Sequence, residues 1–158
     1  LQAYSRGDVD SNKFWEVVFE GYGISYSEDK AKVASNIFSK LTIDESNEQL
    51  LNFIKENKDK YNVFMLSNSN VDIERGNRER HDYFSLFDDV FYSHHLGMRK
   101  PELRIYEHVL KKHSLNPKDC YFIDDKIENV EAAKSLGING ILYKMDEPLE
   151  KILTEIKY

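Results

Sequence analysis

Cys120-Tyr121-Phe122-Ile123-Asp124-Asp125-Lys126 is the stretch on which the reading of this chain turns. A short apolar run that leads straight into the helix-like stretch Lys126 to Leu136 reads as a buried strand of an α/β sheet. Two carboxylates at its C-terminal end stand where open α/β sheets bind ligands, and they offer hard oxygen donors to a cation. The competing reading is that one of them caps the following helix, because Asp is a favoured N-cap. Two polar residues occupy matching places upstream: Ser67, closing Asn62-Val63-Phe64-Met65-Leu66, and Lys100, just before Pro101. A hydroxyl, an ammonium and a carboxylate pair gathered at one sheet edge suit a phosphoryl group and its metal.

Outward from that stretch, the chain from Asp44 onward alternates helices with short apolar runs. Strands are expected at 63–66, around 90–92, at 121–123 and at 141–143. Between them lie a helix with Leu50, Leu51 and Ile54, a polar, partly helical stretch with the charge run Glu74 to Arg80, and a helix with Leu103, Tyr106, Val109 and Leu110 facing inward. Pro101 is expected in the first turn of that last helix, which its fixed φ favours. A helix with Ile127, Val130, Ala133 and Leu136 stops at Gly137, and another closes the chain from Pro148. The alternation implies an α/β fold with a doubly wound parallel sheet.

Residues 11 to 41 read as helices only. Phe14, Trp15, Val18, Phe19 and Tyr22 fall on one 3.6-period face, with Asp10 or Ser11 as cap and Gly21 and Gly23 as stops. Ser27 caps a second helix whose apolar side carries Val33, Ile37, Phe38 and Leu41. This aromatic stripe reads as helix packing.

At 158 residues the chain fits one domain, or a core with a small insertion, and its 41% hydrophobic and 32% charged content excludes a disordered polymer. A net charge of -6 argues against a nucleic-acid partner, which needs a basic face. Cys120 stands alone, so neither an internal disulfide nor a multi-thiolate metal site is possible, and a cytoplasmic setting is expected. No apolar run approaches the roughly 18 residues that span a bilayer, and no signal peptide or membrane partner is read.

Three ordered motifs carry a resemblance. Met65-Leu66-Ser67-Asn68-Ser69-Asn70, then Leu96-Gly97-Met98-Arg99-Lys100-Pro101-Glu102 running into Arg104-Ile105-Tyr106, then Phe122-Ile123-Asp124-Asp125 with Asn129, resemble motifs II, III and IV of the haloacid dehalogenase (HAD) superfamily. The match is to its helical-capped subfamily of sugar phosphatases, similar to the bacterial glucose-1-phosphatase type. The resemblance implies that Ser67, with Asn68 and neighbouring amides, holds the phosphoryl oxygens. It implies that Lys100 neutralises phosphate and nucleophile together, a task suited to a compact ammonium. Asp125 is implied as the direct Mg²⁺ ligand, with Asp124 linked through water or outer contacts and Asn129 orienting them. A partial helical cap over 1–43 and a Rossmannoid core over 44–158 follow. The implied parent activity is a Mg²⁺-dependent phosphatase acting on a small phosphorylated metabolite of the sugar phosphate class through an aspartyl-phosphate.

The chain also departs from the family. Motif I carries an aspartate nucleophile on the first, central strand, and no apolar strand precedes residue 44. Asp8-Val9-Asp10-Ser11 has the letters of that motif but sits ahead of an amphipathic helix, as a cap would. The nucleophile is therefore expected in a segment upstream of Leu1, leaving this chain inactive alone, with that segment or a second copy completing the sheet.

Three rivals are kept. Dehalogenation in the same superfamily does without metal, and the intact Asp124-Asp125 pair counts against it. A non-catalytic fragment or pseudoenzyme binding module is the rival from another class. A phospho-receiver domain has the reverse motif order. His94 and His95, as neighbours on an extended segment, point to opposite faces and read as poor joint ligands. Cys120 has no basic neighbour at motif spacing to activate it.

Overall fold

A computed structural model describes residues 1–41 and 46–156. The helices are α1 (Gln2–Arg6), α2 (Ser11–Gly21), α3 (Glu28–Leu41), α4 (Glu48–Glu56), α5 (Val71–Arg80), α6 (Ser93–Leu96), α7 (Leu103–Lys112), α8 (Ile127–Ser135) and α9 (Glu150–Glu155). The strands are β1 (Phe64–Ser67), β2 (Asp89–Tyr92), β3 (Tyr121–Asp124) and β4 (Asn139–Leu142). Contacts divide the chain into two compact units, Leu1–Ser46 with Ile54–Arg99, and Asn47–Phe53 with Lys100–Tyr158. The cap-to-core boundary expected between residues 43 and 44 lies outside the described residues.

In the first unit, Asp10 caps α2 by accepting the Lys13 backbone N–H at 2.8 Å, as its residue type favours. The Phe14 ring stacks on Tyr4 at 4.3 Å, and the Trp15 ring meets Phe38 edge-on at 5.7 Å. The aromatic stripe is thus packing, except that Tyr22 is the exposed C-cap. Of the four residues expected on the apolar face of α3, Val33, Ile37 and Leu41 are exposed, Phe38 packs against Trp15 as expected, and Ala31, Ser35 and Ser39 are buried. Small side chains win this face because α5 comes close there. A Cβ added to Gly76 would lie 3.0 Å from the Cβ of Ser39. The Ser35 hydroxyl is also taken up by a buried carboxylate of α5, Asp72. β1 and β2 pair in parallel, Phe64 opposite Asp89 through Ser67 opposite Tyr92.

In the second unit, β3 and β4 pair in parallel from Tyr121 opposite Asn139 to Asp124 opposite Leu142. β4 therefore begins two residues earlier than expected, and the Tyr143 N–H continues the ladder to the Asp124 carbonyl. Ile141, Tyr143 and Ile152 form a core cluster against Leu50, Ile123 and Leu149. Ile105 and Tyr106 on α7 and Val130 and Ala133 on α8 are also buried. Gly140 lets α8 approach the sheet, since a Cβ there would fall 2.9 Å from Val130.

Leu103 and Ile127 are exposed, contrary to the expected faces. Each is the first residue of its helix. Side chains there tilt off the N-terminal end rather than onto the packed face. Pro101 is not in the first turn of α7, whose N-cap is Glu102; the Lys100–Pro101 bond is cis.

The parallel strands between helices are as expected for this α/β class, arranged among the described residues as two two-stranded sheets. No described helix is long and apolar enough to cross a membrane.

Candidate active site

In the second unit, β3 delivers Asp124 at its C-terminal end, and three donors meet its carboxylate. Lys100 Nζ donates to Oδ2 at 2.6 Å, Asn129 Nδ2 to Oδ1 at 2.8 Å, and the Lys126 backbone N–H to Oδ1 at 3.0 Å. Lys100 sits 24 residues before Asp124 in the chain, so only the fold joins them. Burial pushes the Asp124 carboxyl up, but the Lys100 charge and hydrogen bond, with Asn129 and the Lys126 N–H, more than offset it and hold the group below the usual carboxylate range. The Lys100 ammonium also lies 5.6 Å from the Phe122 ring centroid, within cation–π range. Asn129 is itself fixed: it is buried on α8, and the Tyr106 hydroxyl donates to its carbonyl at 3.0 Å.

Asp125, one residue on, is exposed and takes up none of these donors. The pair is therefore divided in labour. Both oxygens of Asp124 are engaged, and the carboxylate of Asp125 is open to a hard cation. The helix-cap alternative is met only in part, since Asp124 accepts from Lys126, the N-cap of α8, while no side chain caps α8 itself.

The first unit places Ser67 at the end of β1, with Asn68 next. The loop beyond is anchored by residues the sequence reading passed over. The Ser69 N–H donates to Ser93 Oγ at 3.0 Å, and Ser93 Oγ donates to the Ser5 carbonyl. Asn70 caps α5, its Oδ1 accepting the N–H groups of Asp72 and Ile73 at 3.1 Å each. Asn followed by a charged helical run is an N-cap signature, so this anchor was within reach of sequence. Lys100, Asp124 and Asn129 are thus brought together in one unit with Asp125 adjacent, and Ser67 and Asn68 share a strand end in the other.

Asp72 was not foreseen. It is 0% exposed and accepts from the Tyr4 hydroxyl, from Ser11 Oγ at 3.0 Å, Trp15 Nε1 at 3.2 Å and Ser35 Oγ at 2.6 Å, with Arg75 at 3.4 Å. Burial pushes this carboxyl up, and the donors, Ser35 and Tyr4 foremost, outweigh it, leaving it below the usual range.

The expectation for His94 and His95 is corrected. They lie on the helical turn α6, not on an extended segment, so the two rings are about 100° apart rather than opposed. Both Nε2 atoms reach Glu74 Oε2 at 3.0 Å. The Cys120 thiol, for which no activating basic neighbour is expected, is pushed up by burial and by Asp119.

The model of the haloacid dehalogenase-like hydrolases matches residues 10–137. A drimenol cyclase of Aspergillus calidoustus is 29% identical over 97% of this chain, and a sesquiterpene phosphatase of Aspergillus oryzae is 43% identical over 50% of it. The chain spans 29% and 40% of the lengths of these two relatives. In fold, a HAD family enzyme of Bacteroides thetaiotaomicron superposes with a TM-score of 0.84 at 23% identity, covering 96% of this chain and 75% of that one. A structure of the same enzyme in complex with magnesium and inorganic phosphate gives a TM-score of 0.82 at 23% identity over 95% of this chain and 77% of that one. On the family match over residues 10–137, this chain belongs to the haloacid dehalogenase-like hydrolases.

Proposed function

We propose that the complete protein is a Mg²⁺-dependent phosphatase of a small phosphorylated metabolite, working in a cytoplasmic setting through an aspartyl-phosphate whose nucleophile lies outside this chain. The observation that carries the reading is the division of labour at β3: Asp124 saturated by Lys100, Asn129 and the Lys126 N–H, beside an exposed Asp125. Hard carboxylate oxygens are the donor chemistry Mg²⁺ selects, and one or two of them suffice because the ion keeps several waters. The donor set therefore fits, with Asp125 as the direct ligand and Asp124 held in place behind it. When bound, Mg²⁺ supplies charge neutralisation at the phosphoryl oxygens.

The chain's own groups do the rest. Lys100 presents a fixed positive charge whose position Asp124 sets, and Ser67 and Asn68 offer hydroxyl and amide donors from an anchored loop. In phosphoryl transfer such positioning and neutralisation account for most of the catalysis. Without an attacking carboxylate in line these groups cannot turn over an ester, so the 158-residue chain is expected to bind phosphate weakly without hydrolysing it.

Phosphatase assays on the complete protein test the reading. Asp125→Asn is expected to abolish Mg²⁺-dependent turnover and Asp124→Asn to reduce it less. Equal metal affinity and rate in the Asp125→Asn variant and the parent would refute the assignment.

A second substrate class is favoured by the two fungal relatives, one a sesquiterpene phosphatase. A sesquiterpenyl phosphate carries the same phosphoryl group on an apolar leaving group. Comparing kcat/KM for sugar phosphates and a sesquiterpenyl monophosphate decides between them; a rate on neither would return the chain to the non-catalytic binding module.

A further inference from the structure

We infer that Glu74, His94 and His95 form a second metal site, suited to a borderline divalent cation such as Zn²⁺ rather than to Mg²⁺. The ligand atoms lie within 4.8 Å of one another, and His94 Nε2 and His95 Nε2 each stand 3.0 Å from Glu74 Oε2. Tetrahedral Zn²⁺ with bonds of about 2.0–2.1 Å places neighbouring ligand atoms about 3.3 Å apart. The two Glu74–histidine separations lie within a few tenths of an ångström of that spacing, and the two imidazole nitrogens stand no more than 4.8 Å apart. Two imidazoles and one carboxylate are a ligand set that Zn²⁺ accepts in sites retaining an open position.

Three further features match what such sites need. His94 Nδ1 lies 3.1 Å from the Ser69 carbonyl. In the tautomer that donates there, Nε2 presents a lone pair to Glu74 Oε2, two acceptors face to face that a cation between them would satisfy. An outer hydrogen bond of this kind is what orients metal-binding histidines. Arg78 Nε holds the other carboxylate oxygen, Glu74 Oε1, at 2.7 Å, leaving Oε2 aimed at the rings. His94 and Glu74 are mostly covered, whereas the His95 side chain is 56% exposed and gives the ion a way in.

The rings are set by backbone geometry. α6 ends on Gly97 in the left-handed region at φ 64°. Gly7 of the α1 C-cap lies so close to α6 that a Cβ there would fall 2.4 Å from the His94 carbonyl oxygen. A turn held against Gly7 and tied by Ser93 to Ser5 and Ser69 carries both histidines that reach Glu74 on α5.

The test uses the full chain stripped with chelator, then titrated with Zn²⁺ by calorimetry and with Co²⁺ by visible absorption. One equivalent of Zn²⁺ is expected to bind, Co²⁺ to give the intense d–d bands of a tetrahedral site, and Asp125→Asn to leave both unchanged. His95→Gln, at a half-exposed ring that the fold does not need, is expected to weaken Zn²⁺ by at least about 100-fold, the upper end of what loss of even an outer partner costs, with an unchanged urea midpoint. Glu74→Gln should weaken Zn²⁺ to a similar extent. The inference is overturned if His95→Gln binds Zn²⁺ as tightly as the parent, if Asp125→Asn abolishes the uptake, or if imidazole NMR shows both rings doubly protonated and unmoved by added Zn²⁺. In the last case Glu74 and the histidines are a salt bridge.

Discussion

Asp72 in the first unit and Asp124 in the second both have side chains held away from water, and the two are held in opposite ways. Asp72 is enclosed completely and held mainly by neutral donors, two serines, a tyrosine and a tryptophan, with Arg75 at the edge. Asp124 is held by an ammonium and an amide at a strand end, next to an exposed carboxylate. Both carboxyls are kept ionised against the cost of burial. The difference lies in what surrounds them. A carboxylate saturated by donors from α1, α2, α3 and α5 ties helices together. One that fixes a lysine beside a second, unsaturated acid prepares a charged site.

The largest effect expected from this contrast is on stability in the first unit. Asp72→Ala strands four donors and a guanidinium in a closed interior, and breaking a buried ionic cluster on one side costs about 3–5 kcal/mol. Urea unfolding measures it, and a loss below about 1 kcal/mol would mean that water replaces the carboxylate and that the cluster is not the tie described. Next comes Lys100→Met in the complete protein, for which turnover is expected to fall by about 10²–10³, as for loss of one preorganised charge-stabilising donor, with a smaller stability loss than at Asp72. The reverse pattern, a stable-but-inactive Asp72→Asn and an active Lys100→Met, would exchange the roles of the two aspartates.

Acid sharpens the same comparison. The Asp72 carboxyl is lower in the folded state than in the unfolded chain, so its stabilisation is present above the unfolded value near pH 4 and disappears as pH falls through the folded value. Urea midpoints measured from pH 7 down to pH 3 are expected to fall in the parent, with a shallower fall in Asp72→Asn. Parallel curves would show that other carboxylates carry the acid sensitivity. The smallest effect is at Asp10, an exposed cap. Asp10→Ala is expected to cost about 1 kcal/mol of stability without changing turnover in the complete protein, and a large loss of rate there would identify Asp8-Val9-Asp10 as the catalytic motif after all.

Much of this was written locally. The strand ending at Asp124, the strand ending at Ser67, the Asp10 cap and the aromatic packing of Phe14 and Trp15 follow from side-chain type and spacing, because burial periodicity and capping are decided within a few residues. The face of α3 was not legible. Counting apolar side chains selects Val33, Ile37, Phe38 and Leu41, whereas the helix turns Ala31, Ser35 and Ser39 inward and keeps only Phe38 of that set in the packing, because its partner α5 brings a close backbone and a buried acid. The pair His94 and His95 was misread for a related reason: a four-residue helix is too short to show a period.

By itself the sequence determined the fold class and the family motifs in which Ser67, Lys100, Asp124 and Asp125 stand, since each depends on neighbours along the chain. The tertiary structure alone decided which acid Lys100 engages, which acid stays open, that Asp72 collects donors from positions 4, 11, 15 and 35, and that Glu74 meets two histidines 20 and 21 residues away. Those contacts join residues far apart in sequence, and apart from Trp15 the side chains involved are types that local patterns do not assign to a packed face. Only burial, which removes water as the competing partner, turns them into specific pairs.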